Sequence, residues 1–269
     1  MKKLEIKYCY HSGFTVEIED AILIFDYWNK KNNLNEEDLK KYNEVYVFIS
    51  HSHPDHFDPI VYTWKKINII YIISDDIPKN VPGVRMTPGE VKRINNKMLV
   101  RAFDSTDIGI SFYIEYEEIS IFHAGDLNLW HWKEESTPQE IEDAENKFKK
   151  IIQKLKNYKI DIAFFPADPR MGKEFDAGIN YFFYTIKPTI LIPMHFWEKK
   201  ELIEDLSRKI KLQNKEYIPL TEKGDRLRVF YDDHNIIGKE VIKNIDQYSI
   251  LNEKDDPFFD TDLPVIIEK

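Results

Sequence analysis

The chain is poor in several things that would direct its reading elsewhere. Among 269 residues there is one cysteine, Cys9. A single cysteine excludes an internal disulfide and fits a reducing compartment, so a cytoplasmic location is expected. Alone in an apparent strand, with no base nearby to activate it, Cys9 reads as a small packing residue. No apolar run approaches the ~18 residues of a membrane span, and residues 1–7 carry charges where a signal peptide needs apolar residues. Linkers, low-complexity tracts and fixed-period repeats are missing too, so one domain over residues 1–269 is expected, with a C-terminal extension from about residue 239 in which periodicity defines no element. Positive charge is in deficit: 38 Lys and Arg stand against 47 Asp and Glu, a formal net charge of −9. Proteins that neutralise many phosphates carry a basic face, and its absence here weighs against a nucleic-acid partner. Composition leaves a small-molecule substrate open and says nothing of oligomeric state.

What is present is an alternation of short strands and helices. Residues 3–8, 14–19 and 21–26 alternate or run apolar, and 45–50 form a near-continuous apolar run suited to a strand buried on both faces. Asp58 before Pro59 predicts a helix over 59–66, followed by a strand at 69–73. Strands are expected at 98–103, 110–116, 119–123, 162–165, 190–192 and 227–231, with helices near 138–157, 177–186 and 199–213. Two blocks of strands with helices between and after them predict packed sheets with helices outside.

Histidine is scarce as well, eight in all, and three of the eight fall within six residues: His51, His53 and His56, with Asp55 among them. Side chains at i and i+2 of an extended segment share a side, so His51 and His53 can grip one metal ion. Past Pro54 the chain turns and offers Asp55 and His56 to a second. Neutral imidazole and carboxylate suit zinc, and also manganese or iron. A polar loop carrying histidines for solubility is the competing reading, disfavoured by the clustering of a rare residue.

This run resembles the H-x-H-x-D-H signature of the metallo-β-lactamase superfamily, and the order of landmarks from about residue 5 to residue 230 is similar to that family. The resemblance implies an α/β fold, an αββα sandwich of two mixed sheets flanked by helices with a metal centre at one edge. Tyr10, His11, Ser12, Gly13 and Phe14, followed by Ile24, Phe25 and Asp26, resemble the opening hairpin of the ascorbate-6-phosphate lactonase-like branch. By that resemblance Asp26 holds the metal loop through hydrogen bonds and His11 sits near the centre; taken alone, His11 is a turn residue. Ala124, Gly125 and Asp126 resemble the motif whose aspartate bridges two metals, and Pro193, Met194 and His195 the final histidine, a ligand of the second metal. The family also supplies a histidine to the first metal from an intervening loop, yet no histidine lies between residues 57 and 122. Asp104, Ser105, Thr106 and Asp107 occupy that loop, and Asp107, ahead of Asp104, is the candidate replacement, unless these residues only cap a turn.

The ligand set read from the sequence is therefore His51, His53, Asp55, His56, Asp107, Asp126 and His195, holding one or two divalent ions, zinc favoured and manganese or iron allowed. His123 reads as a packed or supporting histidine and His234 as a surface residue. Trp130, His131 and Trp132 line a substrate pocket or form an aromatic lid on the core. Arg170 either holds an anionic group by its planar fork or pairs with Asp168. The implied activity is metal-dependent hydrolysis: a metal-activated hydroxide attacks a small ester, lactone or phosphoester, with Asp55 as the catalytic residue that orients it or accepts a proton. Two other readings stand beside it, a binding protein with a degraded metal site, favoured by the missing histidine, and a di-iron redox centre, for which no flavin-binding segment is visible.

Overall fold

The structure, a computed structural model, describes residues 1–28, 34–65, 68–211 and 216–244, with the side chains of 207–211 left aside. Among the described residues, fourteen strands form two sheets. The first sheet contains β1 (Lys2–Tyr10), β2 (Gly13–Ile18), β3 (Ala21–Phe25), β4 (Glu44–Ile49), β5 (Ile69–Ser74), β6 (Val84–Met86), β13 (Arg226–Asp232) and β14 (Asn235–Ile242), in the order β14-β13-β1-β2-β3-β4-β5-β6. The second contains β7 (Val91–Arg93), β8 (Met98–Asp104), β9 (Ile110–Tyr116), β10 (Ile119–His123), β11 (Ile162–Pro166) and β12 (Ile190–Met194), in the order β12-β11-β10-β9-β8-β7. Both are mixed: β3 to β6 pair in parallel, as do β10 to β12, and the remaining pairs are antiparallel.

Strand periodicity explains the layering. Along β3, Ala21, Leu23 and Phe25 enter the core between the sheets, whereas Ile22 and Ile24 face outward into a second cluster. In β4, Tyr46 and Phe48 face in, and Val45, Val47 and Ile49 face out. The outer cluster is covered by α1 (Glu36–Leu39) and by a 3-10 turn at Pro59–Thr63, through Leu39, Val61 and Trp64. On the second sheet, Phe164 meets Phe14 across the core at 4.4 Å, while its neighbour Phe165 stacks on Phe182 of α3 (Ala177–Ile186) at 4.4 Å. Beside α3 lies α2 (Pro138–Leu155), opened by a capping box of Thr137 and Glu140 with proline in its first turn. The last helix is α4 (Lys200–Lys211). The layers run helix, sheet, sheet, helix, the αββα sandwich that the resemblance implied.

Two expectations change, and two short strands appear where the sequence pattern defined none. The helix over 59–66 is only a 3-10 turn, although Asp58 accepts from the Ile60 N–H at 3.0 Å as a cap should. After one turn the chain goes extended at Trp64, whose ring packs edge-on against Tyr27 at 5.1 Å; burial of that indole outweighs helix propagation. Edge strands β6 and β7 span three residues each, too short for a periodic signal. The segment from 235 to 242 is a strand with no buried residue, so its pairing with β13, not its own pattern, makes it one. The rest of the extension, beyond residue 244, lies outside the described residues. Among the described residues no helix is long and apolar enough to cross a membrane.

Candidate metal centre

All the chemistry-bearing loops leave one edge of the sandwich. Asp26 follows β3, His51 to His56 follow β4, Asp126 follows β10, Asp168 follows β11 and His195 follows β12, each past the C-terminal end of a parallel strand. Such edges are where α/β sheets place ligands, because the loops there converge. Antiparallel pairing brings two more turns to the same edge: His11 between β1 and β2, and residues 105–109 between β8 and β9. Glycine permits the loops of the two sheets to touch. A Cβ at Gly109, whose φ is +79°, would collide with the Ser50 carbonyl oxygen and the His51 Cβ. One at Gly125, φ +54°, would come within 2.8 Å of the Ser50 Cβ. His11, Asp26, His195 and Trp197 also sit at positive φ without being glycine, a concentration of backbone strain typical of functional sites.

Two groups of donor atoms result, each mutually within 4.8 Å: His11, Asp55, His56 and His195, largely buried, and His51, His53, Asp107 and Asp126, more open. Asp126 lies between them. Its Oδ1 is 3.0 Å from His56 Nε2 and 3.2 Å from His195 Nε2, and its Oδ2 is 3.5 Å from His51 Nε2. The two oxygens of one carboxylate thus face different groups, as a bridge requires. His51 and His53 do not share an extended segment: the run is a turn closed by His56 and Phe57 N–H groups donating to the His53 carbonyl at 3.0 and 2.9 Å. Their rings still meet, Nε2 to Nδ1, at 3.1 Å.

Outer partners decide which ring nitrogen faces the centre. The Asp26 carboxylate, buried, accepts from the Ser50 N–H at 2.8 Å and from Ser50 Oγ at 2.6 Å. Having given its proton to Asp26, Ser50 Oγ must accept from His51 Nδ1 at 2.9 Å. His56 Nδ1 donates to Asp26 Oδ2 at 2.8 Å and His195 Nδ1 to Asp168 Oδ2 at 2.9 Å. All three imidazoles therefore turn Nε2 inward, the arrangement by which carboxylate and hydroxyl partners orient ligating histidines. Burial disfavours charge on His56, yet Asp126 and Asp26 hold its pKa well above the usual value; His195, likewise buried, is raised to about 9 by Asp126 and Asp168. Burial would raise the Asp126 carboxyl, but His195 and His56 hold it well below the ordinary range. His11 is driven the other way, to about 3, by burial and the neighbouring His195. The centre is a concentrated set of negative and lone-pair groups that wants positive charge.

The donor set fits a divalent cation on an independent count. His56 Nε2, His195 Nε2 and Asp126 Oδ1 are buried and lack a hydrogen-bond partner, although each faces the others. Buried polar atoms are seldom left so, and a divalent ion held by these residues would satisfy all three.

Of the residues singled out in the sequence, His51, His53, Asp55, His56, Asp107, Asp126 and His195 all belong to the two groups. Asp107 Oδ2 is 3.6 Å from His53 Nδ1, whereas Asp104 turns away to Lys154, 2.7 Å from its Oδ2. His11 joins the inner group with Nε2 3.1 Å from Asp55 Oδ2, near the centre as the resemblance of the opening hairpin implied, although taken alone it read as a turn residue. His123 is packed: it is stacked on Phe25, bonds the Ser12 carbonyl at 2.9 Å and belongs to neither group. Above the centre opens a cavity of about 670 Å³, lined in part by Trp130 and Arg170. Arg170 also forks onto Asp168, with Nη2 2.6 Å from Oδ2. His131 is a correction. It does not line the cavity and is buried at 1% exposure, because Trp130 and Trp132 stack on each other at 5.8 Å and turn the residue between them inward. Trp28, Trp132, Trp197 and Thr106 line the cavity as well. Trp28 and Trp197 were missed, though each stands two residues past a landmark, Asp26 or His195.

Residues 5–145 match the beta-lactamase superfamily domain, which is more than half of the chain. The chain belongs to this superfamily. A UPF0173 metal-dependent hydrolase of Nanoarchaeum equitans is 27% identical over 211 residues, 72% of this chain and 84% of that protein. Among solved structures, Igni18, a metallo hydrolase from Ignicoccus hospitalis, superposes with a TM-score of 0.64 at 16% identity, covering 86% of this chain and all (100%) of that one. The diiron β-hydroxylase CmlA of Streptomyces venezuelae gives a TM-score of 0.58 at 11% identity over 84% of this chain and 54% of its own. These likenesses show the metallo-β-lactamase fold, in agreement with the two-sheet sandwich.

Proposed function

We propose that the superfamily member described above is a metal-dependent hydrolase whose centre takes two divalent ions and acts on a small ester, lactone or phosphoester. The observation that carries the reading is the convergence of unpartnered buried atoms, His56 Nε2, His195 Nε2 and Asp126 Oδ1, around the Asp126 carboxylate that lines the cavity. His51, His53 and Asp107 would hold the first ion, Asp55, His56 and His195 the second, with Asp126 bridging and His11 beside the second site. Zinc suits the imidazole-rich set best, while the carboxylates leave manganese or iron admissible.

Bound there, the ions would polarise the scissile carbonyl or phosphoryl group and lower the pKa of water toward ~7. The protein's own part is positioning. Asp26 and Asp168 lock the imidazoles of His51, His56 and His195 in one tautomer and orientation. Asp55 reaches the cavity floor, its Oδ2 held by His11, where an acceptor is placed to orient an attacking water. Protein stripped with a chelator is expected to lose hydrolysis of generic 4-nitrophenyl esters and phosphodiesters and to regain it with zinc or manganese. Full turnover by protein shown to be metal-free would overturn the reading.

A further inference from the structure

The cavity over the centre has an unusual wall. Four of the five tryptophans, Trp28, Trp130, Trp132 and Trp197, line it, each half-buried, while the fifth, Trp64, is buried in the outer cluster. Half-exposed indoles gathered around one opening present flat faces to whatever enters, rather than filling a core.

The hydrogen-bonding side chains of the lining are mostly the proposed metal ligands His53, Asp55, Asp107 and Asp126, and the indole wall adds little beside them. Thr106 Oγ1 is occupied, donating to the Asn128 carbonyl at 2.6 Å and accepting from the Asn128 N–H at 3.0 Å. Trp130 Nε1 donates to the Asp126 carbonyl at 2.8 Å. With those four side chains engaged by metal, a polyhydroxylated ligand would find few partners along the indoles, whereas a planar aromatic body loses little there and gains the indole faces.

Arg170 is the one cation among the lining residues. Its Nε and Nη2 fork onto Asp168 at 2.9 and 2.6 Å, while Nη1 has no hydrogen-bond partner among the described residues. The guanidinium carbon lies 5.3 Å from the Trp197 ring and 6.0 Å from the Trp130 ring, so the group has two indoles beside it and one edge spare. An arginine pinned on one edge and flanked by indoles is pre-oriented to take an anionic oxygen on the other edge.

We propose that this cavity selects substrates with a planar aromatic body bearing an anionic group, the indoles taking the ring and Arg170 the charge. This deepens the hydrolase reading and rests on it for the reaction, while recognition is read separately by binding. The zinc-loaded protein is titrated with 2-naphthoate, its neutral amide 2-naphthamide, and cyclohexanecarboxylate, following indole fluorescence. 2-Naphthoate is expected to bind roughly tenfold or more tightly than either control, in the range of aromatic stacking and cation contributions. Arg170→Gln, reloaded to the wild-type zinc content, is expected to erase the advantage over the amide. Trp132→Leu, handled the same way, should reduce the advantage over cyclohexanecarboxylate. Equal binding of 2-naphthoate and cyclohexanecarboxylate, or no fluorescence response to any of the three, overturns the aromatic assignment. An unchanged acid-to-amide ratio in the reloaded Arg170→Gln protein overturns the role of Arg170. Aromatic selectivity without hydrolysis of any ester supports the pocket and sinks the hydrolase. Hydrolysis with equal KM for alkyl and aryl esters does the reverse.

Discussion

Replacing Asp107 with alanine separates the two ion sites, because the donors around them differ in exposure. Asp107 and His53 are 37% and 44% exposed, whereas His11, His56 and His195 in the inner group are buried. A unit charge pair at ~4 Å interacts with about 4 kcal/mol in a near-surface dielectric. Screening at a site this open takes up to about half of that, leaving roughly 2–4 kcal/mol per carboxylate removed. At 1.4 kcal/mol per factor of ten, the first site should lose roughly 30- to 700-fold in affinity. The inner site, which Asp107 does not join, should keep its ion. Metal content after gel filtration, with titration against a chromophoric chelator, should show one ion per chain in Asp107→Ala where the wild type holds two. Asp104→Ala is the control, since its carboxylate pairs with Lys154 and faces away; its content should match wild type. Two equally tight ions in Asp107→Ala, or loss of metal in Asp104→Ala, would refute the assignment.

Further outcomes follow from the supporting residues. Asp168→Asn removes the carboxylate that orients His195 and should weaken metal binding about 10–100-fold, the range for outer partners of ligating histidines; chelator competition reading an unchanged affinity would dismiss that role. His53→Ala should abolish turnover while leaving the far-ultraviolet dichroism and cooperative melting of the wild type, since His53 contributes to neither hydrophobic cluster. Gly109→Ala drives a methyl into the Ser50 carbonyl from a left-handed backbone, and about 2–4 kcal/mol of lost stability should appear as a lower Tm in calorimetry. His131→Phe deletes two buried ring nitrogens that have no hydrogen-bond partner, so Tm should hold or rise and KM stay unchanged; a raised KM would place His131 back in the pocket.

Much of the centre was legible in the chain itself, for a physical reason. His51 to His56 are adjacent in sequence, and Asp126 and His195 sit three residues and one residue past an apolar strand, so local pattern alone says where each donor leaves its sheet. The strand alternation that sorts Leu23 and Phe25 from Ile22 and Ile24 is equally local, and with it the two-sheet layering. Tertiary structure alone decided the rest. His11 is 184 residues from His195 in sequence, yet their rings lie 4.0 Å apart because a hairpin turn and a parallel strand end at one edge. Which of Asp104 and Asp107 turns inward depends on a lysine of α2, fifty residues on, that claims Asp104. The strand at 235–242 exists because β13 offers it an edge. Trp130, His131 and Trp132 read alike in sequence, and only the stacking of the two indoles sends one imidazole into the interior and leaves the rings facing the cavity. Local chemistry is carried by neighbours in the chain; who meets whom across the sandwich is set by sheet pairing and side-chain packing, which no short window of sequence contains.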